Sequence, residues 1–389
     1  MGVDGGAKQP NCTQFFRAEG RLMEEQIDTS SDDVDDISSA DERIDYKFDL
    51  TFYGADYPVD GLVKRLEKND IVIPSFDPVS DQTFDVEAFQ RKFVWTKSQC
   101  DRFVESLLLG LPVPGIFLVQ QSDKSHLVLD GQQRLLTLAA FYGGLLNKKE
   151  FALENVQDQF KGLTYKTMPE EHRRTLDDSI IHATVIKKTQ ESQDLSSIYT
   201  LFERLNSGGT QLSPHEIRVA LVPGKLMQLV RRLNGDPAWR LAFGSPSKTL
   251  KDHELILRFI AMRFSPTAYK SPMKDFLTTY AQYNKNLDKQ QEKEIEDVFT
   301  KTIHLIVDAV GKKVFRLKTA LNAAMFDSMM VGLAKVVTKG GVIDSSKVKA
   351  AYDGLLTNEG YLAAISKATA REDQVKERMK LASEAFAAM

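Results

Sequence analysis

The chain has 389 residues, of which 42% are hydrophobic and 27% charged, enough apolar material for a large core and enough length for two domains. A formal charge of -3 excludes a protein that coats DNA with its whole surface, so any nucleic-acid contact must be local. The two cysteines, Cys12 and Cys100, exclude a disulfide framework or a cysteine metal cluster and suit a reducing cytoplasm.

Residues 1–45 stand apart. Ser30-Ser31-Asp32-Asp33-Val34-Asp35-Asp36 and Ser38-Ser39-Ala40-Asp41-Glu42 make an acidic, serine-rich stretch with too few apolar residues to repay its ordering entropy. It is expected to be a disordered tail, serving solubility or acting as a partner-binding arm. From Tyr46 the pattern becomes globular. Pro58 to Asn69 reads as a short helix and Ile71-Val72-Ile73 as a strand entering Pro74. Thr96-Lys97-Ser98-Gln99 has the spacing of a capping box, and Cys100, Phe103, Val104, Leu107 and Leu108 then fall on one helical face that ends at Gly110. The apolar stretch from Leu107 to Val119 is interrupted by Gly110, Pro112, Pro114 and Gly115, so no membrane-spanning segment is expected. The N-terminus lacks a charged-then-apolar export pattern, and a cytoplasmic protein is expected.

Gly115 to Val119 and His126 to Leu129 read as strands joined by a polar turn. The period then changes: Leu135, Leu138, Ala139 and Tyr142 repeat at helical spacing, which makes Asp130 to Gln133 the tight turn between a strand and a helix. Ala183 to Ile186 is a further strand, followed by a helix with Ile198, Leu201, Phe202 and Leu205 on one side, stopping at Asn206-Ser207-Gly208-Gly209. Ser213-Pro214-His215-Glu216 supplies an N-cap, a proline at the first helical position and a glutamate at the third. Beyond it the chain reads as helical to its end, with His253 to Met262, Glu292 to Val310 and Asn322 to Val337 as the clearest segments. The fold class is therefore α+β, a small α/β core over residues 46–210 followed by a mostly helical domain over 211–389.

A strand that ends in a glycine-containing turn and opens a helix leaves the first helical N–H groups aimed at one point, which the helix dipole makes electropositive. Such a point binds phosphate. Arg134 adds a planar cation suited to phosphate oxygens, Gln132 and Gln133 are placed to orient a water or read a base or ribose, and Asp130 could hold magnesium through water. The plainer alternative stays open at this point: Asp130 caps the helix and Arg134 pairs with it. Lys251-Asp252-His253-Glu254 invites a metal reading, but Asp252 is better explained as an N-cap.

The run His126-Leu127-Val128-Leu129-Asp130-Gly131-Gln132-Gln133-Arg134-Leu135-Leu136-Thr137-Leu138 resembles the signature of the GmrSD N-terminal domain family, whose core element is DGQQR. Phe89-Gln90-Arg91-Lys92-Phe93-Val94-Trp95 followed by Glu105 to Pro114 is similar to a second element of that family, and Phe202 to Ile217 to a third. The resemblance implies a fold related to the ParB nucleotide-binding domain and to sulfiredoxin, with an arginine-containing turn around nucleotide phosphates. It implies nucleoside triphosphate binding and hydrolysis with Mg2+, coupled to attack on modified or foreign DNA in bacterial or phage defence. By resemblance Asp130, Gln132, Gln133 and Arg134 are the expected catalytic residues, and Arg91, Gly131, Arg204 and Asn206 the expected nucleotide-binding ones. Direct DNA contact, self-association and a separately encoded nuclease are the expected partnerships. Two departures matter. Fused family members carry an HNH nuclease, whereas no histidine follows His304 here, so DNA cleavage by this chain alone is not expected. Sulfiredoxin chemistry needs a cysteine in the turn, where this chain has Gln132 and Gln133.

Overall fold

The computed structural model describes residues 34–35, 50–74, 94–121, 123–188, 196–205, 213–341 and 343–389. In chain order the first half comprises β1 (Val34–Asp35), β2 (Leu50–Pro58), α1 (Val59–Glu67), β3 (Ile71–Val72), α2 (Lys97–Leu108), β4 (Ile116–Gln120), β5 (His126–Asp130), α3 (Gln132–Gly143), β6 (Leu145–Leu146), β7 (Lys149–Glu150), α4 (Glu170–Asp178), β8 (Ile180–Lys188) and α5 (Ser196–Leu205). The second half comprises α6 (Pro214–Leu221), α7 (Lys225–Asn234), α8 (Pro237–Phe243), α9 (Lys251–Phe264), α10 (Met273–Tyr283), α11 (Lys289–Val310), β9 (Leu321–Asn322), α12 (Ala323–Val337), α13 (Ser345–Thr357), α14 (Glu359–Ala364) and α15 (Glu372–Ala387). The molecule is α+β.

A five-stranded mixed sheet runs in the order β2-β8-β4-β5-β3. The pair β2/β8 is antiparallel, β8/β4 parallel, β4/β5 antiparallel and β5/β3 parallel. Strand alternation divides the side chains between two cores. Leu118, Val128, Ile181, Ala183 and Val185 join a core with α1, α2 and α3, into which α2 sends Cys100, Phe103, Val104, Leu107 and Leu108. Val119, Leu127, Leu129 and Ile186 join the other, which continues through Ile198 and Phe202 of α5 into the helices beyond. The sheet is thus a central layer buried on both sides, which is why β5 reads as an unbroken apolar run. The capping box expected at Thr96 is present, with the Thr96 side chain accepting from Gln99 N. The one expected at Ser213 is present with Glu216.

Several expectations need correction. The nine residues of β2 were not legible, because most of its side chains remain exposed and neither face carries a continuous apolar pattern. Val34–Asp35, within the stretch expected to be a tail, pair in parallel with Leu321–Asn322. Strands therefore do not stop at residue 189: main-chain hydrogen bonding asks nothing of composition, and the helical half supplies a two-residue edge. Asp252 is not an N-cap. Leu250 holds that position on α9, while the Asp252 carboxylate is 3.1 Å from Arg240 Nη1 and accepts from Asn234 Nδ2 at 3.0 Å and from Ser247 N at 3.3 Å. Among the described residues no group of three or more His, Cys, Asp or Glu could hold a metal ion, and no helix is long and apolar enough to cross a membrane.

Candidate nucleotide site

The end of β5 and the start of α3 meet at a single residue. Asp130 is the last residue of the strand, Gln132 the first of the helix, and Gly131 alone makes the corner at φ 94°, so the turn is shorter than the four residues expected. Glycine is required there twice over: left-handed backbone penalises any Cβ, and a Cβ would stand 2.4 Å from Ile116 Cγ2. Gly131 is also the N-cap of α3, and no side chain caps the helix. The first N–H groups of a 12-residue helix are thereby left to whatever approaches the end of the sheet, and the helix dipole adds roughly half a positive charge at that point.

Arg134, in the first turn of α3, is held from two sides. Its Nη2 donates to Asp130 Oδ2 at 2.8 Å and to the Gly115 carbonyl at 2.9 Å. The arginine side chain is 14% exposed and that of Asp130 37%, so the pair sits at the edge of solvent. Arg134 Nε is buried and finds no hydrogen-bond acceptor among the described residues. The ion pair that the spacing left open therefore exists, and it orients the guanidinium without using every donor. Gln133 faces away from that pair's chemistry and toward the neighbouring backbone. Its Oε1 accepts from Val94 N at 3.0 Å and from Trp95 N at 3.2 Å, and its carbonyl accepts from Thr137 Oγ1 at 2.8 Å. It fastens the segment before α2 to the turn, with Trp95 packed edge-on against Phe103 at 5.6 Å between ring centroids.

Of the residues expected from sequence, Asp130, Gly131, Gln132, Gln133 and Arg134 come together at one end of the sheet. Arg204 is exposed in the last turn of α5, a helix that packs on the opposite face of the sheet from α3. Arg91 and Asn206 lie outside the described residues. Sequence reasoning missed Gly115, whose carbonyl anchors Arg134 and where a Cβ would stand 2.6 Å from the His182 carbonyl oxygen. The available signal was the Pro112-Val113-Pro114-Gly115 run, which sets a rigid, side-chain-free approach into β4.

Two titratable groups nearby are silenced by burial. His126, which opens β5, is pushed below its ordinary value by burial and then by the Arg65 charge. The Cys100 thiol is pushed up to about 11 by burial, which removes it as a nucleophile. The chemistry of this end of the sheet therefore rests on main-chain N–H groups, a guanidinium and a half-exposed carboxylate.

Residues 75–223 match the family model described as GmrSD restriction endonuclease, N-terminal domain. This part of the chain belongs to that domain family. The GmrSD N-terminal domain here includes α2 to α6 with β4, β5 and β8, and so contains the whole turn. The edge strands β2 and β3 come from residues before the match, so the sheet of this chain is completed by sequence outside the matched segment. No curated protein matches the chain.

Proposed function

We propose that the chain binds and hydrolyses a nucleoside triphosphate at the turn from Asp130 to Arg134, as the nucleotide-responsive module of a restriction-like defence system directed at foreign or modified DNA. The observation that carries this reading is the uncapped N-terminus of α3 behind a glycine that tolerates no Cβ, with the Arg134 guanidinium fixed beside it. Main-chain N–H groups and an oriented arginine together form a phosphate cradle. The printed description of the matched family, a restriction endonuclease domain, supports the biological setting.

Magnesium fits the residues present. Asp130 is the carboxylate at the turn and is partly open to water, and a magnesium ion is usually held by one or two carboxylates together with phosphate oxygens rather than by a protein cage. Bound there, the ion would neutralise phosphate charge. Asp130 would hold it through water while Arg134 and the α3 N–H groups hold the phosphates. DNA cleavage is assigned to a separately encoded nuclease, and direct DNA contact and self-association remain proposals on the same footing.

The test is calorimetric binding of each of the four common ribonucleoside triphosphates with magnesium, alongside phosphate release by the pure chain. Saturable binding with release of inorganic phosphate is expected. Binding without release would reduce the reading to a ParB-like binding module, and no binding of any nucleotide would overturn it.

A further inference from the structure

His182 of β8 stands directly across from Asp56 of β2, and its Nδ1 is 2.6 Å from Asp56 Oδ1. The two side chains are 63% and 65% exposed. A carboxylate on Nδ1 fixes the imidazole tautomer, so the Nδ1 proton is donated to Asp56 and the Nε2 lone pair faces outward. The flanking positions on both neighbouring strands are glycines. A Cβ at Gly54 would lie 3.1 Å from His182 Cε1 and 3.4 Å from Nε2, and one at Gly115 would lie 2.6 Å from the His182 carbonyl oxygen and 3.6 Å from its Cβ. The imidazole is thus kept clear on each side. An exposed ion pair contributes little to stability, so the clearing around it is not explained by stability.

Its place in the sheet gives the pair a use. β8 runs parallel to β4, and β4 antiparallel to both β5 and the direction of β2, so the end of β2, the starts of β8 and β4 and the end of β5 share one edge of the sheet. Gly115, adjacent to His182, is the residue whose carbonyl holds Arg134. His182 and Asp130 are separated by one intervening strand, which puts their backbones roughly 10 Å apart, the span of a polyphosphate rather than of a single phosphoryl group.

We propose that His182 is the general base for the hydrolysis, with Asp56 as its positioning residue. This rests on the nucleotide reading above. His182 Nε2 takes a proton from a water as its oxygen bonds to the terminal phosphorus. The bond from that phosphorus to the bridging oxygen breaks, the nucleoside diphosphate leaves with the electron pair, and the imidazolium returns its proton to solvent. The products are the diphosphate and inorganic phosphate, with no other reactant consumed.

The experiment compares the full chain with His182→Ala, His182→Gln and Asp56→Asn, using the triphosphate the wild type turns over fastest, with magnesium. Loss of a general base costs about 10²- to 10⁴-fold, so kcat should fall by that factor in both His182 variants while nucleotide affinity and melting temperature stay unchanged. Added imidazole should restore part of the His182→Ala rate and none of the Asp56→Asn rate. Equal kcat in wild type and His182 variants would overturn the assignment while leaving the nucleotide site standing, and so would a wild type that binds nucleotide without turning it over. A fall in affinity without a fall in kcat, unresponsive to imidazole, would place His182 in binding alone and also overturn it. Absence of nucleotide binding by the wild type would remove both proposals.

Discussion

The pair Arg258–Asp327 in the helical half and the pair Arg134–Asp130 at the sheet edge use the same chemistry in opposite surroundings. Arg258 Nε lies 3.2 Å from both carboxylate oxygens of Asp327 and its Nη2 2.6 Å from Oδ2, with side chains 2% and 0% exposed. Arg378 Nη2 approaches the same oxygen at 3.5 Å, and Arg378 also donates to the Thr369 carbonyl. One carboxylate thereby ties together α9, α12 and α15. The charges are sealed from water, so they can serve only to fix the helices' positions. At the sheet edge a single Nη2 makes both contacts, and its carboxylate is 37% exposed. Access to solvent, not the identity of the residues, separates a structural clamp from a group available to a ligand.

The sharpest way to break that contrast is Asp327→Ala. Removing one partner of a buried ion pair costs about 3 to 5 kcal/mol, because the remaining charge stays buried and unpaired, and here two guanidinium groups would lose their carboxylate. Urea denaturation should show a loss of that size, or the chain should fail to fold. Asp327→Asn, which keeps the shape, should lose less but still destabilise. A loss below about 1 kcal/mol, the range of exposed pairs, would mean that Asp327 does not hold the helices together.

The two pairs also differ in how far the sequence revealed them. The turn was legible because strand, glycine and helix follow each other without interruption in Leu129-Asp130-Gly131-Gln132, and periodicity changes where the chain turns. The helices were legible by the same local rule, down to the capping boxes at Thr96 and Ser213. Arg258, Asp327 and Arg378 join helices far apart in sequence, and each alone looks like an ordinary charge on a helix; no local pattern marks a buried charge whose partner is 69 residues away. The same holds for β2, whose place is set by a nine-residue register against β8, and for Gly115, whose role depends on Arg134 reaching it across the turn. What sequence missed is tertiary pairing, which periodicity does not encode.

Arg134 tests the exposed side of the comparison. Its bonds to Asp130 and to the Gly115 carbonyl are partly open to water, so Arg134→Ala should cost under about 1 kcal/mol of stability, since Asp130 can be resolvated. Nucleotide binding should respond more strongly: charge-assisted hydrogen bonds contribute roughly 1.5 to 3 kcal/mol, equivalent to about a ten- to hundredfold loss of affinity. Arg134→Lys keeps the charge without the planar fork and should recover binding only in part. Calorimetry and thermal melts on the three proteins separate the possibilities. Equal affinities, or a collapse in melting temperature with unchanged affinity per folded molecule, would make this pair a clamp like the buried one.

The smallest expected effect concerns an uncharged link between the two regions. Ser213 starts α6, accepting from Glu216 N at 3.2 Å while its own N–H donates to Glu216 Oε2 at 2.7 Å, and its hydroxyl donates to the Thr249 carbonyl at 2.6 Å. That last bond ties the helix that closes the matched domain to the segment leading into α9, the helix that carries Arg258. Ser213→Ala removes both the cap and the tie and should cost about 1 to 2 kcal/mol. Ser213→Asp restores the cap but has no proton to donate, so it should recover only part. Ser213→Thr keeps both functions and should stay close to wild type. Nucleotide affinity should be the same in all three, because the phosphate cradle lies at the α3 terminus. If urea midpoints rank Asp level with Thr, the tie to Thr249 contributes nothing and the cap accounts for the whole effect. If affinity falls along with stability, the start of α6 acts on the site at the far side of the sheet, and the division between clamp and cradle drawn from the two arginine pairs is too sharp.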